Sequence, residues 1–188
     1  MLYATTVETE DELVQIHHLN QQNLKSSLTE IERKEYGFVT WLYSLELLQQ
    51  IHRLAPSIIV KENDKVVGYA LVTPREASAF HKDLSVMMAH LSSLVYEDKS
   101  LFSYRFYLMG QVCIDKAYRG KGLFPMLYKK HKETYSGQYD LLVTEISTSN
   151  FRSLKAHRNI GFKSIHTYKD SMDEWDIVVR DWRCDAWH

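Results

Sequence analysis

The sequence has little of what several protein classes depend on. Its two cysteines, Cys113 and Cys184, form no Cys-x-x-Cys pair and no repeated spacing, which argues against a disulfide scaffold or a thiolate zinc site and for a reducing, cytoplasmic setting. Seven glycines and three prolines leave no room for a long flexible linker or a low-complexity tail. No apolar run approaches the roughly 20 residues that a bilayer span needs. The N-terminus, Met1-Leu2-Tyr3-Ala4-Thr5-Thr6-Val7-Glu8, has neither the basic start nor the apolar stretch of a signal peptide. Neither sign of charge dominates: 23 Lys+Arg stand against 24 Asp+Glu, a net charge of -1. A broad basic face for nucleic acid is therefore not expected, nor is a membrane partner, while a small anion site stays open.

What is there is 188 residues with 45% hydrophobic and 12% aromatic content, read as one folded domain over residues 1–188. Residues 2–7 read as a strand and Glu10–Gln22 as a helix with Leu13 and Ile16 inward. Residues 28–54 read as helical, broken near Gly37 and ended by Pro56, because Trp41, Leu45, Leu48 and His52 fall at i, i+4, i+7 and i+11. Two β-branched runs, 57–61 and 66–73, flank the polar turn Glu62-Asn63-Asp64-Lys65 and predict a hairpin. A helix over 82–97 would bury Leu84, Met87, Met88, Leu91, Leu94 and Val95. Strands at 104–114, 141–146, 162–168 and 175–182 and helices at 123–135 and 149–160 complete an α/β chain: a single mixed, mostly antiparallel sheet flanked by helices.

The informative stretch is Ile114-Asp115-Lys116-Ala117-Tyr118-Arg119-Gly120-Lys121-Gly122-Leu123-Phe124-Pro125. A strand runs into a basic, glycine-containing turn and a helix starts at once. Pro125 suits the first turn of a helix, where its missing N–H costs nothing. Gly120 and Gly122 let the backbone approach a ligand with its N–H groups outward, at the positive end of a helix dipole and beside Arg119 and Lys121. That is a site for phosphate or diphosphate. The Walker pattern is absent and Pro125 stands where a dinucleotide fingerprint needs glycine. A second segment, Asn150 to Phe162, begins past a buried strand, with Asn150 as helix cap and Gly161 as helix stop. Asn150, Ser153, Leu154 and His157 share one face, spread over about 10 Å at the helical rise.

With both segments in hand, the chain resembles the GNAT superfamily of acyl-CoA-dependent N-acyltransferases, firmly over about 57–182. The family's phosphate loop reads Arg/Gln-x-x-Gly-x-Gly/Ala; Arg119, Gly122 and Phe124 fall at its three specified positions, and Phe124 departs from it. The resemblance implies an acetyltransferase with acetyl-CoA as donor and an amine, small molecule or peptide, as acceptor. It implies a helical substrate-side segment at 10–55 and an acyl-CoA-binding core at 104–162. Within that core Val112, Cys113 and Ile114 would meet the pantetheine arm, and Arg119, Gly120, Lys121, Gly122, Leu123, Phe124 and Pro125 the diphosphate. Asn150 would bind the pantetheine or phosphate region. His157 occupies the place where many relatives carry a tyrosine near the coenzyme sulfur.

Amide formation then needs a neutral amine and a proton for the departing thiolate, whose pKa near 8.5 asks only modest acid help. His157 is a chemically reasonable donor. Glu145 and Gln111 lie near enough to be weighed as a base, and neither is assigned. Cys113 reads as core rather than nucleophile. No metal site is expected: His17 and His18 are adjacent and cannot share a helix face, and His81 and His90 pair no better. A non-catalytic acyl-CoA-binding domain is the competing reading, and longer acyl donors remain open. Exposed edge strands and the aromatic C-terminus are compatible with a homodimer.

Overall fold

The structure, a computed structural model, describes residues 1–184. In chain order it runs β1 (Leu2–Thr6), α1 (Glu10–Gln22), α2 (Glu30–Tyr36), α3 (Leu45–Leu54), β2 (Ile58–Glu62), β3 (Lys65–Thr73), α4 (Lys82–Leu91), β4 (Val95–Tyr96), β5 (Lys99–Ser100), β6 (Phe106–Ile114), α5 (Leu123–Tyr135), β7 (Leu141–Ser147), α6 (Phe151–Asn159), β8 (Lys163–Lys169) and β9 (Glu174–Asp181). Seven strands form one sheet in the order β1-β2-β3-β6-β7-β9-β8; every neighbouring pair is antiparallel except β6 and β7. This is the mixed, mostly antiparallel sheet that the sequence predicts. No helix among the described residues is long and apolar enough to cross a membrane. The aromatic C-terminus invoked for self-association, Trp187 included, lies outside the described residues.

Strand alternation sorts the core onto two faces. Val60, Val67, Ala70, Tyr107, Leu142 and Val178 pack with Leu123, Leu127 and Tyr128 of α5 and Leu154 of α6. On the other face, Ile59, Tyr69, Leu71 and Cys113 meet α1 and α3. Beside them Phe106, Leu108, Val143 and Ile177 meet α4 and the β4–β5 hairpin.

Two predicted helices are shorter than expected, for local reasons. Residues 37–44 are not helical, so Trp41 belongs to a connecting strap and not to the face of α3. Gly37 ends α2 at φ +71, and the Ser44 hydroxyl starts α3 by accepting from the Leu47 N–H. Polar side chains hold the strap between them. Asn20 donates to the Trp41 carbonyl at 3.1 Å, Gln111 to the same carbonyl at 2.8 Å and Asn150 to the Phe38 carbonyl at 3.0 Å. The helix expected over 82–97 stops at Leu91. Ser92 and Ser93 donate back to the carbonyls of Ala89 and His90, an alternative to continuing the helix. Val95 and Tyr96 then pair with Ser100 and Lys99 across a turn with Glu97 and Asp98 at positive φ, and Val95 is exposed.

One irregularity sets up the site. The β3–β6 register slips between Ala70–Val112 and Val72–Met109, so Gly110 and Gln111 together face Leu71. Such a bulge bends and twists its strand. A Cβ at Gly110 would lie 2.6 Å from the Tyr43 hydroxyl and 2.7 Å from Thr73 Oγ1, both on buried residues. Gly110→Ala is expected to destabilise the fold by about 1–3 kcal/mol through overpacking. Urea denaturation of the two proteins measures it, and an unchanged midpoint would show that Tyr43 moves aside freely.

Candidate active site

The parallel pair β6–β7 is bonded only at Phe106–Leu141, Tyr107–Leu142 and Leu108–Val143. Past these positions the two strands part, and a Thr144 hydroxyl bond to the Met109 carbonyl at 2.8 Å marks the fork. Two adjoining cavities open there, and Phe38, Val39, Val112, Asn150 and Ser153 line both.

The first cavity, about 300 Å3, lies along the end of β6 and the glycine loop. Asp115 shapes the start of that loop by accepting from the Ala117 N–H at 3.0 Å and from Lys65 at 2.9 Å. Gly120 and Gly122 sit at φ +75 and +79, the left-handed region that favours glycine, and nothing lies within 4 Å of where a Cβ would stand. Arg119 donates through Nε to the Ile114 carbonyl at 3.1 Å and through one terminal nitrogen to Asn23 at 2.7 Å. Its other terminal nitrogen, Nη1, is buried with no partner, and burial lowers the guanidinium's pKa. Lys116 pairs with Glu32 of α2. Of the coenzyme residues predicted, Val112, Cys113, Ile114, Arg119, Gly120, Gly122, Leu123, Phe124, Pro125 and Asn150 line this cavity. Lys121 does not; its ammonium lies over the Tyr118 ring at 4.8 Å.

Asn150 caps α6 as predicted, its carbonyl oxygen accepting from the Ser153 N–H at 3.2 Å. Its amide nitrogen meanwhile holds Phe38, so the side chain already has protein partners at both ends.

His157 lines the second cavity, in a different setting from the one its sequence position implies. Nδ1 lies 2.8 Å from the Ser153 carbonyl, which can only accept, so the ring proton sits there. Nε2 is then bare and accepts the Tyr128 hydroxyl proton at 2.6 Å. Burial presses the imidazole pKa down to about 4. The ring is neutral and has no free N–H to give, unlike the proton donor expected at this place. The Cys113 thiol packs against the α1–α3 face and burial pushes it up to about 12, so it stays protonated and unreactive. Gln111 accepts from Tyr69 and donates to Trp41, a structural use of both ends.

Glu145 stands out in the second cavity. It is the one partly exposed residue in the otherwise buried strand β7, and burial of its carboxyl raises the pKa. The Tyr168 hydroxyl donates to Oε2 at 2.7 Å. A charged residue inside Leu-Leu-Val-Thr-Glu-Ile was the signal in the sequence. Tyr43 and Trp41 line the same cavity; as aromatics of the 28–54 segment they read from the sequence either as pocket lining or as core, and helical spacing hid the strap that carries them.

The glycine loop and the start of α6 line one cavity beside the fork, the arrangement that the resemblance to an acyltransferase implies. The sequence profile of the Acetyltransferase (GNAT) family matches residues 25–162, and the chain belongs to that family. Solved structures of the same fold include Ard1 from Thermoplasma volcanium, with a TM-score of 0.65, 12% identity and coverage of 96% of this chain and 97% of that one. An N-acetyltransferase from Staphylococcus aureus Mu50 is similar at 0.63, 17% identity, and 97% and 99%. A putative acetyltransferase, yncA, from Salmonella typhimurium, solved with its cofactor acetyl-CoA, is similar at 0.61, 14% identity, and 100% and 96%. No curated protein matches the chain in sequence.

The enclosed histidines generate a stability prediction. Burial depresses His131 to about 3 and His157 to about 4, from 6.5. The unfolded chain therefore binds more protons below pH 6.5, and stability falls as pH drops through that value. The expected loss between pH 7 and pH 5 is roughly 3–4 kcal/mol for the two rings together. Urea midpoints across that window measure it; a flat profile would mean that the rings open to solvent.

Proposed function

We propose that this acyltransferase moves an acetyl group from acetyl-CoA to an amine by direct attack with both substrates bound, the coenzyme in the first cavity and the acceptor in the second. The observation that carries this reading is the fork itself. Beyond Leu108 the β7-facing edge of β6 has no ladder partner, so backbone groups around Val112 and Ile114 are available to the amide groups of a pantetheine arm. The open space at Gly120 and Gly122, the first N–H groups of α5 and the unpartnered Arg119 Nη1 fit its diphosphate. Phe124 is compatible with this, since its ring turns onto His157 at 5.0 Å and leaves the backbone to do the binding.

Bound acetyl-CoA supplies the activated acyl carbon: the neutral amine nitrogen forms a C–N bond to it as the C–S bond breaks, and the proton that nitrogen then sheds passes to the departing thiolate, directly or through water, leaving the acetamide and free coenzyme A. Glu145 takes a proton from the incoming ammonium, directly or through one water. Its raised pKa makes it a stronger base than an exposed carboxylate, and Tyr168 fixes its orientation. His157 acts as a positioning residue, holding Tyr128 and the first turn of α6 together. Asn150 acts likewise, setting the strap against α6. The non-catalytic reading draws on Phe124 in the loop, on His157 in place of a tyrosine and on the lack of an evident base; Glu145 is the base in the present proposal.

Calorimetric titration tests the donor: acetyl-CoA is expected to bind one site per chain with micromolar affinity and more tightly than free coenzyme A. Absence of binding to either would overturn the proposal. Gly122→Glu, which adds a charge and a strained left-handed residue to the cradle, is expected to abolish that binding. Glu145→Gln is expected to leave acetyl-CoA affinity unchanged and to lower kcat about 100-fold. The Tyr168 hydrogen bond favours the Glu145 carboxylate, so Tyr168→Phe raises that pKa further. The acid limb of the pH–rate profile should move to higher pH, and an unmoved limb would take Glu145 out of the reaction.

A further inference from the structure

Antiparallel neighbours in a sheet need only a short turn between them. β3 and β6 are such neighbours, yet residues 74–105 intervene. That detour places α4 along one wall of the second cavity. At one end the ring of His81, the residue capping α4, meets Trp41 edge-on at 4.8 Å. At the other, His90 packs on Tyr168 at 4.2 Å, and Tyr168 is the residue that holds Glu145. Between these two anchors Asp83, Leu84 and Met87 line the cavity.

The cavity, partly open to solvent, has a volume of about 200 Å3. Trp41 and Tyr43, with ring centroids 4.5 Å apart, and Trp175 supply its aromatic lining. Among the described residues that line it, the carboxylates are Glu145, inside, and Asp83, on the exposed first turn of α4, and none is Lys or Arg.

We propose that the acceptor is a compact aralkyl monoamine, one primary ammonium joined by a short linker to a single aromatic ring. This rests on the transferase reading above. The ammonium is drawn by Glu145 and Asp83 and by the faces of the surrounding rings. The apolar body fills the space between Trp41, Trp175 and Met87. Three alternatives meet specific obstacles. A peptide needs about 3.3 Å of open groove per extended residue, and a cavity of about 200 Å3 has room for little more than its first side chain. A polyamine brings further cations into an aromatic enclosure with no acid for each. An amino acid brings a carboxylate to a cavity with two carboxylates and no cation to receive it, so the amine is favoured over its parent amino acid.

The test measures acceptor-dependent release of free thiol at saturating acetyl-CoA with phenethylamine, phenylalanine, butylamine, spermidine and an alanine-initiated hexapeptide. The expected result is a kcat/KM for phenethylamine at least 10-fold above each of the others. A second measurement uses Met87→Arg, which places a cation in the cavity from a half-buried position on α4. It should lower phenethylamine turnover at least 10-fold while acetyl-CoA affinity, read by calorimetry, stays unchanged. Preference for the peptide, spermidine or butylamine would overturn the inference, as would equal use of phenylalanine or indifference of phenethylamine turnover to Met87→Arg. Acetyl-CoA binding with no turnover of phenethylamine overturns it alone. Failure of the unmodified chain to bind acetyl-CoA overturns the transferase reading as well.

Discussion

The parting of β6 from β7 is the constraint on which the rest of the molecule turns. Each strand is held firmly on its other side, β6 to β3 along most of its length and β7 to β9 at seven successive positions from Leu141–Asp181 to Ser147–Trp175. The bulge at Gly110–Gln111 turns β6 away while β7 follows β9. The gap therefore cannot close without unpairing a strand elsewhere, and it leaves a row of backbone donors and acceptors facing it. Unpaired backbone groups in an apolar cleft are costly unless something polar meets them. Water or a polar ligand has to meet that row, a requirement the backbone sets before any side chain contributes.

Burial then decides which titratable groups have chemistry and which do not. The same desolvation that raises Glu145 toward the pKa of a useful base makes Cys113 inert and keeps His157 neutral. The difference lies in what each faces. Glu145 is partly exposed to the second cavity and keeps one oxygen fixed by Tyr168, while His157, at the wall of the same cavity, has both ring nitrogens held, by Tyr128 and the Ser153 carbonyl. In the reading proposed above, a residue's place in the motif points to the neighbourhood of the reaction, while Glu145, outside the motif, carries the proton.

How much was legible follows from how local each signal is. The strands, the 57–73 hairpin, the glycine loop and the Asn150 helix are written in short stretches, and they stand where periodicity and turn chemistry put them. The strap at 37–44 was not legible, because its shape comes from Asn20, Gln111 and Asn150, distant in sequence, bonding to its carbonyls. For the same reason Glu145 could be noticed but not assigned. Its environment depends on Tyr168 and on α4, which no spacing rule connects to β7.

The detour between β3 and β6 also bears on how such a chain can change over generations. The sheet closes without residues 74–105, since both flanking strands complete their pairing on either side of them. In the reading proposed above, variation in that segment reshapes one wall of the acceptor cavity and leaves the glycine loop in place. The strap and the end of β6, which line both cavities, are the pieces that such a change has to keep.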